Sequence, residues 1–207
     1  MRFGPEHCAA LHDLLTWRRD VRHFRPDPLP DDAPKALRAA MELAPSVGNA
    51  RPWRVVEVAS PAARARIRAN FEAENARAAA GYTGARAGQY AALKLAGLDR
   101  APLQLAVFNL CDPAEGHGLG RATIPETLMQ STAMAVFSLW LAARARNWGV
   151  GMVSILDPVQ VERDLGAEPD WHFAAYLCIG WPEHEDDTPL LHRAGWQENT
   201  SPDWRRV

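Results

Sequence analysis

Apolar residues recur at roughly helical spacing near the start of the chain. Ala9, Leu11 or His12, Leu14 and Leu15 predict a first helix over 5–15, an N-terminal helix filling residues 1–16. The prolines of "RPDPLPDD" end any extended segment after Phe24. Asp31 or Asp32 can cap a second helix over 33–43. "APSVGNARPW" then reads as a loop and "RVVEVA" as a strand. Pro61 opens a long helix to about residue 80, rich in Ala and Arg. It carries too few large apolar residues for core, so it reads as a solvated segment or as part of a lid over 62–96. Gly81, Gly84 and Gly88 are expected to break it up before "YAALKLAGL".

The run "LQLAVFNL", 103–110, predicts a buried strand. "GHGLGRATIPE" is a loop, and Pro125 suits the first turn of a helix reaching about residue 147. That helix is apolar nearly all round, with small residues Ala133, Ala135, Ser138 and Ala142. It must be buried on most sides, in a core or a subunit interface. "GVGMVSI" and "FAAYLCIGWP" are two further strands. From residue 183 to 207 the chain is polar and dotted with Trp, as expected of an arm wrapping a partner subunit. Strands separated by helices predict one domain over 1–207, an α+β or α/β sandwich with helices flanking one sheet.

Charge narrows the function classes. The formal net charge is −2, so there is no general attraction to nucleic acid, and any anion affinity must be local. The apolar run 127–143 lies between Glu126 and Arg144 and is short for a membrane span, so a buried helix is expected. No secretory signal is visible, and Cys8, Cys111 and Cys178 form neither a pairing framework nor a metal motif. The seven histidines show no ligand spacing, and His184 sits in an acidic, solvated turn. A cytoplasmic protein without a metal site is the expectation.

Local chemistry is concentrated in a few stretches. "TWRRDVRHFR" gathers arginines around Asp20. In an extended segment Arg18, Asp20 and Arg22 share one side and Arg19 takes the other, so two guanidiniums can grip a phosphate. A solvated basic strand fits the same spacing. "PSVGNARPW" offers Ser46, Asn49 and Arg51 to a planar polar ligand, or is an ordinary helix-to-strand connection. "GHGLGR" lacks the GxGxxG spacing of a dinucleotide loop, and Arg121 there reads as a surface residue. Ser154 ends the "GVGMVSI" strand, whose glycines would admit a ligand close to the backbone. A satisfied turn residue fits the same place, and the lack of a GxSxG context argues against a nucleophile elbow.

In this order the pieces resemble the FMN-dependent nitroreductase family, over roughly residues 15–196. "RRDVR" carries Asp20 where most of that family has serine. With "PSVG", "LKLAGL" before "AP", "LGRATIPE", "SLWLAARA", "GVGMVSILD" and "AYLCIGWP", it is most similar to the 5,6-dimethylbenzimidazole synthase branch. Asn49 and Arg51 depart from that branch's pattern, where glutamine is common at the second position. The resemblance implies an α+β nitroreductase-like three-layer sandwich, a central mixed sheet flanked by helices, in a homodimer with flavin sites at the subunit interface. It implies flavin contacts from Arg18, Arg19, Asp20, Val21, Arg22, Ser46, Asn49, Leu95 and Ser154, with Asp20 and Ser154 as the catalytic pair. The implied reaction is oxygen-dependent fragmentation of reduced FMN to 5,6-dimethylbenzimidazole and erythrose 4-phosphate. NAD(P)H or a separate flavin reductase would supply the electrons. Two other readings are an FMN oxidoreductase that retains its flavin and a flavin-binding protein without catalysis. Asp20 favours the synthase, because a carboxylate held ionised by guanidiniums can act as a general base and a serine hydroxyl cannot.

Overall fold

The computed structural model describes residues 1–93 and 95–206. Four strands form one sheet: β1 (Trp53–Glu57), β2 (Leu103–Leu110), β3 (Gly149–Val153) and β4 (Trp171–Gly180), in the order β1-β2-β4-β3. All three ladders are antiparallel, with Val55 opposite Val107, Val107 opposite Ala175 and Val150 opposite Ile179. The parallel part of the expected mixed sheet is one bridge, Asp20 to Val150, on the outer edge of β3. β2 is buried at every position, as a continuous apolar run with helices on both faces should be.

Alternation along the central strands sorts the core into two halves. Leu105 and Val107 of β2 join Leu177 and Ile179 of β4 on one face. There they meet Leu37 and Met41 of α2 (Ala33–Glu42) and Leu139 and Ala143 of α5 (Thr127–Arg144). Ala106, Phe108, Tyr176 and Cys178 point to the opposite face. That face is covered by Ile67 of α3 (Pro61–Ala80), Val161 of α6 (Pro158–Leu165) and Leu98 of the 96–101 segment. The result is a three-layer helix–sheet–helix sandwich.

Four helices differ from expectation. α3, expected as a solvated or lid segment, instead packs on the sheet with Ile67 and Asn70 buried. α1 spans Pro5–Trp17 but buries no residue, leaving Leu11, Leu15 and Trp17 exposed. Gly84 and Gly88 do not break the chain: they belong to α4 (Gly84–Ala92), because Gly84 supplies a left-handed start and Gly88 sits in open space. α6 was not anticipated. Its signature is nonetheless local: Asp157 Oδ1 accepts from the N–H groups of Val159 and Gln160, Pro158 takes the first position, and left-handed Gly166 closes the helix. A short helix, α7 (Leu190–Arg193), lies in the C-terminal arm. Among the described residues no helix is long and apolar enough to cross a membrane.

Candidate functional site

The arginine-rich stretch begins where α1 ends. Arg18 caps that helix through its own N–H, donated to the Leu14 carbonyl, and this removes it from the alternation expected of a strand. Its guanidinium instead crosses α5, 5.6 Å from the Phe137 ring centre and 5.4 Å from that of Trp140. Its Nε is buried without a hydrogen-bond acceptor. Burial, and then the nearby charge of Arg19, lower the Arg18 pKa. Arg19 donates from Nε to the Asp187 carbonyl at 2.7 Å. Neither Arg18 nor Arg19 forms an ion pair among the described residues. Two neighbouring cations without a carboxylate, one partly desolvated, make a site that an anion would stabilise.

Asp20 is held from two sides. Oδ1 accepts the Met152 N–H at 2.9 Å, and Oδ2 takes Arg22 Nε at 2.8 Å and Nη2 at 2.7 Å. Asp20 and Arg22 therefore do share a side, as the extended pattern predicts. The carboxylate keeps 31% of its surface exposed, so a ligand can reach it. Val21 donates its N–H to the Val150 carbonyl, which seats the segment on β3. That seating explains "GVG". A Cβ on Gly151 would lie 2.0 Å from the Val21 oxygen, and one on Gly149 would strike the Val21 side chain at 2.8 Å. The glycines admit the crossing backbone of residues 20–21 rather than a ligand.

Beyond that crossing the edge of β3 is open. Met152 and Ser154 alternate with buried Val153 and are exposed. Ser154 makes no side-chain hydrogen bond among the described residues. Asp20 and Ser154 thus flank one end of an edge strand, the former bonded two residues before the latter. A cavity of about 260 Å³ is lined by Arg19, Asp20, Arg22, Arg144, His184 and Arg193, and Asp20 is the residue it shares with this edge. Arg144 and Arg193 escaped sequence analysis. They pair with Glu185 and Asp186 of the arm, each at 2.8 Å, and no local pattern marks the Arg144–Glu185 pairing across 41 residues.

The remaining predicted residues lie elsewhere in the subunit. Ser46 and Asn49 sit on a loop tied to α5, where Ser131 Oγ accepts the Val47 N–H at 3.0 Å. Ser46 Oγ accepts the Arg51 N–H at 3.1 Å and closes the loop on itself. Asn49 and Arg51 both hold left-handed backbone, φ 58° and 47°, a cost that non-glycine residues bear only in over-determined loops. The "GHGLGR" loop braces it: a Cβ on Gly48 would lie 3.0 Å from the Gly116 oxygen. Arg121 pairs with Asp112 at 2.6 Å and donates to the Pro113 carbonyl. Among the described residues no hydrogen bond or ion pair links the 46–51 loop to the 18–22 segment. Leu95 lines a separate cavity of about 400 Å³ with Arg68, Phe71 and Tyr90. Its chain returns towards the arginine segment at Gly97, where a Cβ would lie 2.3 Å from the Phe24 ring.

The nitroreductase family's sequence model matches residues 15–181. The chain belongs to the nitroreductase family. Within it, the chain is 64% identical to a 5,6-dimethylbenzimidazole synthase of Rhodobacter capsulatus, over 100% of both chains. It is 53% identical to a 5,6-dimethylbenzimidazole synthase of Rhodospirillum rubrum, over 94% of this chain and 92% of that one. Solved structures of the fold include an iodotyrosine deiodinase bound to FMN and 3-iodo-L-tyrosine. It has a TM-score of 0.70 and 22% identity, over 95% of this chain and 96% of that one. A nitroreductase with bound FMN from Desulfitobacterium hafniense gives a TM-score of 0.63 at 16% identity, over 84% and 90%. The family match covers the sheet, the 18–22 segment and Ser154, and the relatives also cover the arm.

Proposed function

We propose that the protein is a 5,6-dimethylbenzimidazole synthase that consumes reduced FMN and molecular oxygen and releases erythrose 4-phosphate as the second product. The observation that carries this reading is the Asp20 carboxylate, fixed by Met152 and Arg22 beside the open edge at Ser154. The residues present fit FMN. Arg18 and Arg19, which pair with no carboxylate among the described residues, suit its phosphate, and the buried orphan Nε of Arg18 fits an acceptor oxygen there. The exposed edge past Met152 offers backbone and the Ser154 hydroxyl to a flat polar ring.

When bound, reduced FMN supplies both the electrons for oxygen and the carbon skeleton of the product. The protein's part is positioning and proton movement. A carboxylate has about four acceptor positions. Among the described residues Asp20 uses three, for Met152 N–H and two Arg22 donors, so one remains to take a proton from the bound ligand. Ser154, hydrogen-bonded to nothing else among the described residues, orients or relays that proton. Ser46 and Asn49 hold the ring from their strained loop, and Leu95 closes over it from the part of the 62–96 segment beyond α3, α3 itself being packed on the sheet. NAD(P)H, directly or through a flavin reductase, provides the electrons.

A homodimer completes the site. α1 has no buried residue, and an isolated 13-residue helix is marginal in water. Its exposed Leu11, Leu15 and Trp17, with Met129, Met134 and Phe137 of α5, form an apolar face suited to a second copy.

The test is aerobic incubation with FMN and a reductant, followed by mass detection of 5,6-dimethylbenzimidazole. Flavin loss matched by benzimidazole is expected. Turnover of a nitroaromatic or quinone with the flavin intact would assign the chain to the flavin-retaining oxidoreductases instead.

A further inference from the structure

α3 packs one face on the sheet with Ile67 and Asn70 buried and Phe71 beside them. An amide in such a stripe is costly unless both its ends are bonded. Here they are bonded to one residue. Asn70 Nδ2 donates to the Asp157 carbonyl at 3.1 Å, and Asn70 Oδ1 accepts the Asp157 N–H at 2.8 Å. Asp157 in turn caps α6 with its carboxylate. The turn 154–157 is therefore clamped at its far end by Asn70 and at its near end by the last β3–β4 pair, Val153 opposite Tyr176. Ser154 lies between the clamps. Its hydroxyl has no protein partner among the described residues, so only the backbone of this turn sets its direction.

We propose that Asn70 is a positioning residue that holds Ser154 on the open edge of β3 by grasping the Asp157 backbone. The proposal rests on the functional reading above for the role of Ser154. It also ties that serine to α3, which makes up most of the 62–96 segment, so movement of α3 reaches the reacting end of the site through one side chain.

Two measurements test it. In the flavin-free protein, Asn70→Ala should raise amide exchange at 154–157 by about tenfold or more, the loss of two hydrogen bonds, while β3 keeps its protection. In aerobic turnover, Asn70→Ala should lower benzimidazole formed per reduced flavin oxidised by about 10- to 100-fold, with FMN affinity nearly unchanged. Ser154→Ala should lower it too, and the double variant should be no worse than Ser154→Ala alone. If Asn70→Ala does not fold, Asn70→Asp keeps the acceptor, loses the donor and is read the same way. Unchanged exchange at 154–157, or multiplying losses in the double variant, would overturn the proposal. If the wild-type chain made no benzimidazole, the functional reading would fail, and the exchange measurement alone would decide whether Asn70 holds this turn.

Discussion

At the scale of single residues, the site rests on the different fates of neighbouring charges. Asp20 is bonded on both oxygens, whereas Arg18 and Arg19 have no acid among the described residues. Replacing Asp20 by Asn keeps the shape and removes the base. Benzimidazole formation should fall about 10²- to 10⁴-fold, read by product mass, while FMN still binds. Arg18→Met keeps a long apolar stem over Phe137 and Trp140 but removes the cation. FMN affinity should drop about 10- to 100-fold, the worth of one charged hydrogen bond. Riboflavin, which lacks the phosphate, should bind both forms alike. Equal losses for both ligands in a flavin titration would place the phosphate elsewhere.

At the scale of elements, α5 serves two surfaces. Leu139 and Ala143 face the sheet, while Met134 and Phe137 face outward. In the proposed homodimer, that double duty explains why its sequence is apolar nearly all round. A charge on the outer face should be incompatible with a partner copy, so Phe137→Glu is expected to yield monomers in sedimentation, with flavin binding lost alongside. α4 offers a smaller test. Gly88 lies inside a helix with nothing within 4 Å of its missing Cβ. Gly88→Ala should stabilise the fold by about 0.4–1 kcal/mol, visible as a raised denaturation midpoint. The expectation that Gly88 breaks the chain weighed its low helix propensity, which tertiary context overrode.

At the scale of the molecule, the core on the sheet face covered by α3 and α6 holds two buried acids. Burial lifts the Cys178 thiol from 9.0 to about 12 and pushes the Tyr176 phenol up as well. An unfolded chain ionises both groups first. Their contribution to stability is therefore intact below pH 9 and lost progressively from there towards about 12. The thermal midpoint should fall across that window, and less steeply in Cys178→Ala. A flat profile would mean that these groups reach solvent in the native state. Tyr176 donates to Gln104, and Gln104 donates to the Leu98 carbonyl. Alkaline loosening should thus show early at the 96–101 segment.

Much of this architecture follows from short-range pattern. The strand at Leu103–Leu110 and the helix at Pro61–Ala80 lie where apolar runs and Pro61 place them, because a strand or helix is written in consecutive residues. The chemical types of the site were legible in the same way: arginines around an acid, and a serine closing a strand. Their arrangement was not. Asp20 meets Met152 across 132 residues, and Arg19 meets Asp187 across 168. Whether a glycine admits a ligand or the backbone at Val21, and which arginine is left without an acid, depends on what the folded chain brings alongside. Periodicity in sequence carries local conformation, but only packing decides which distant groups become neighbours.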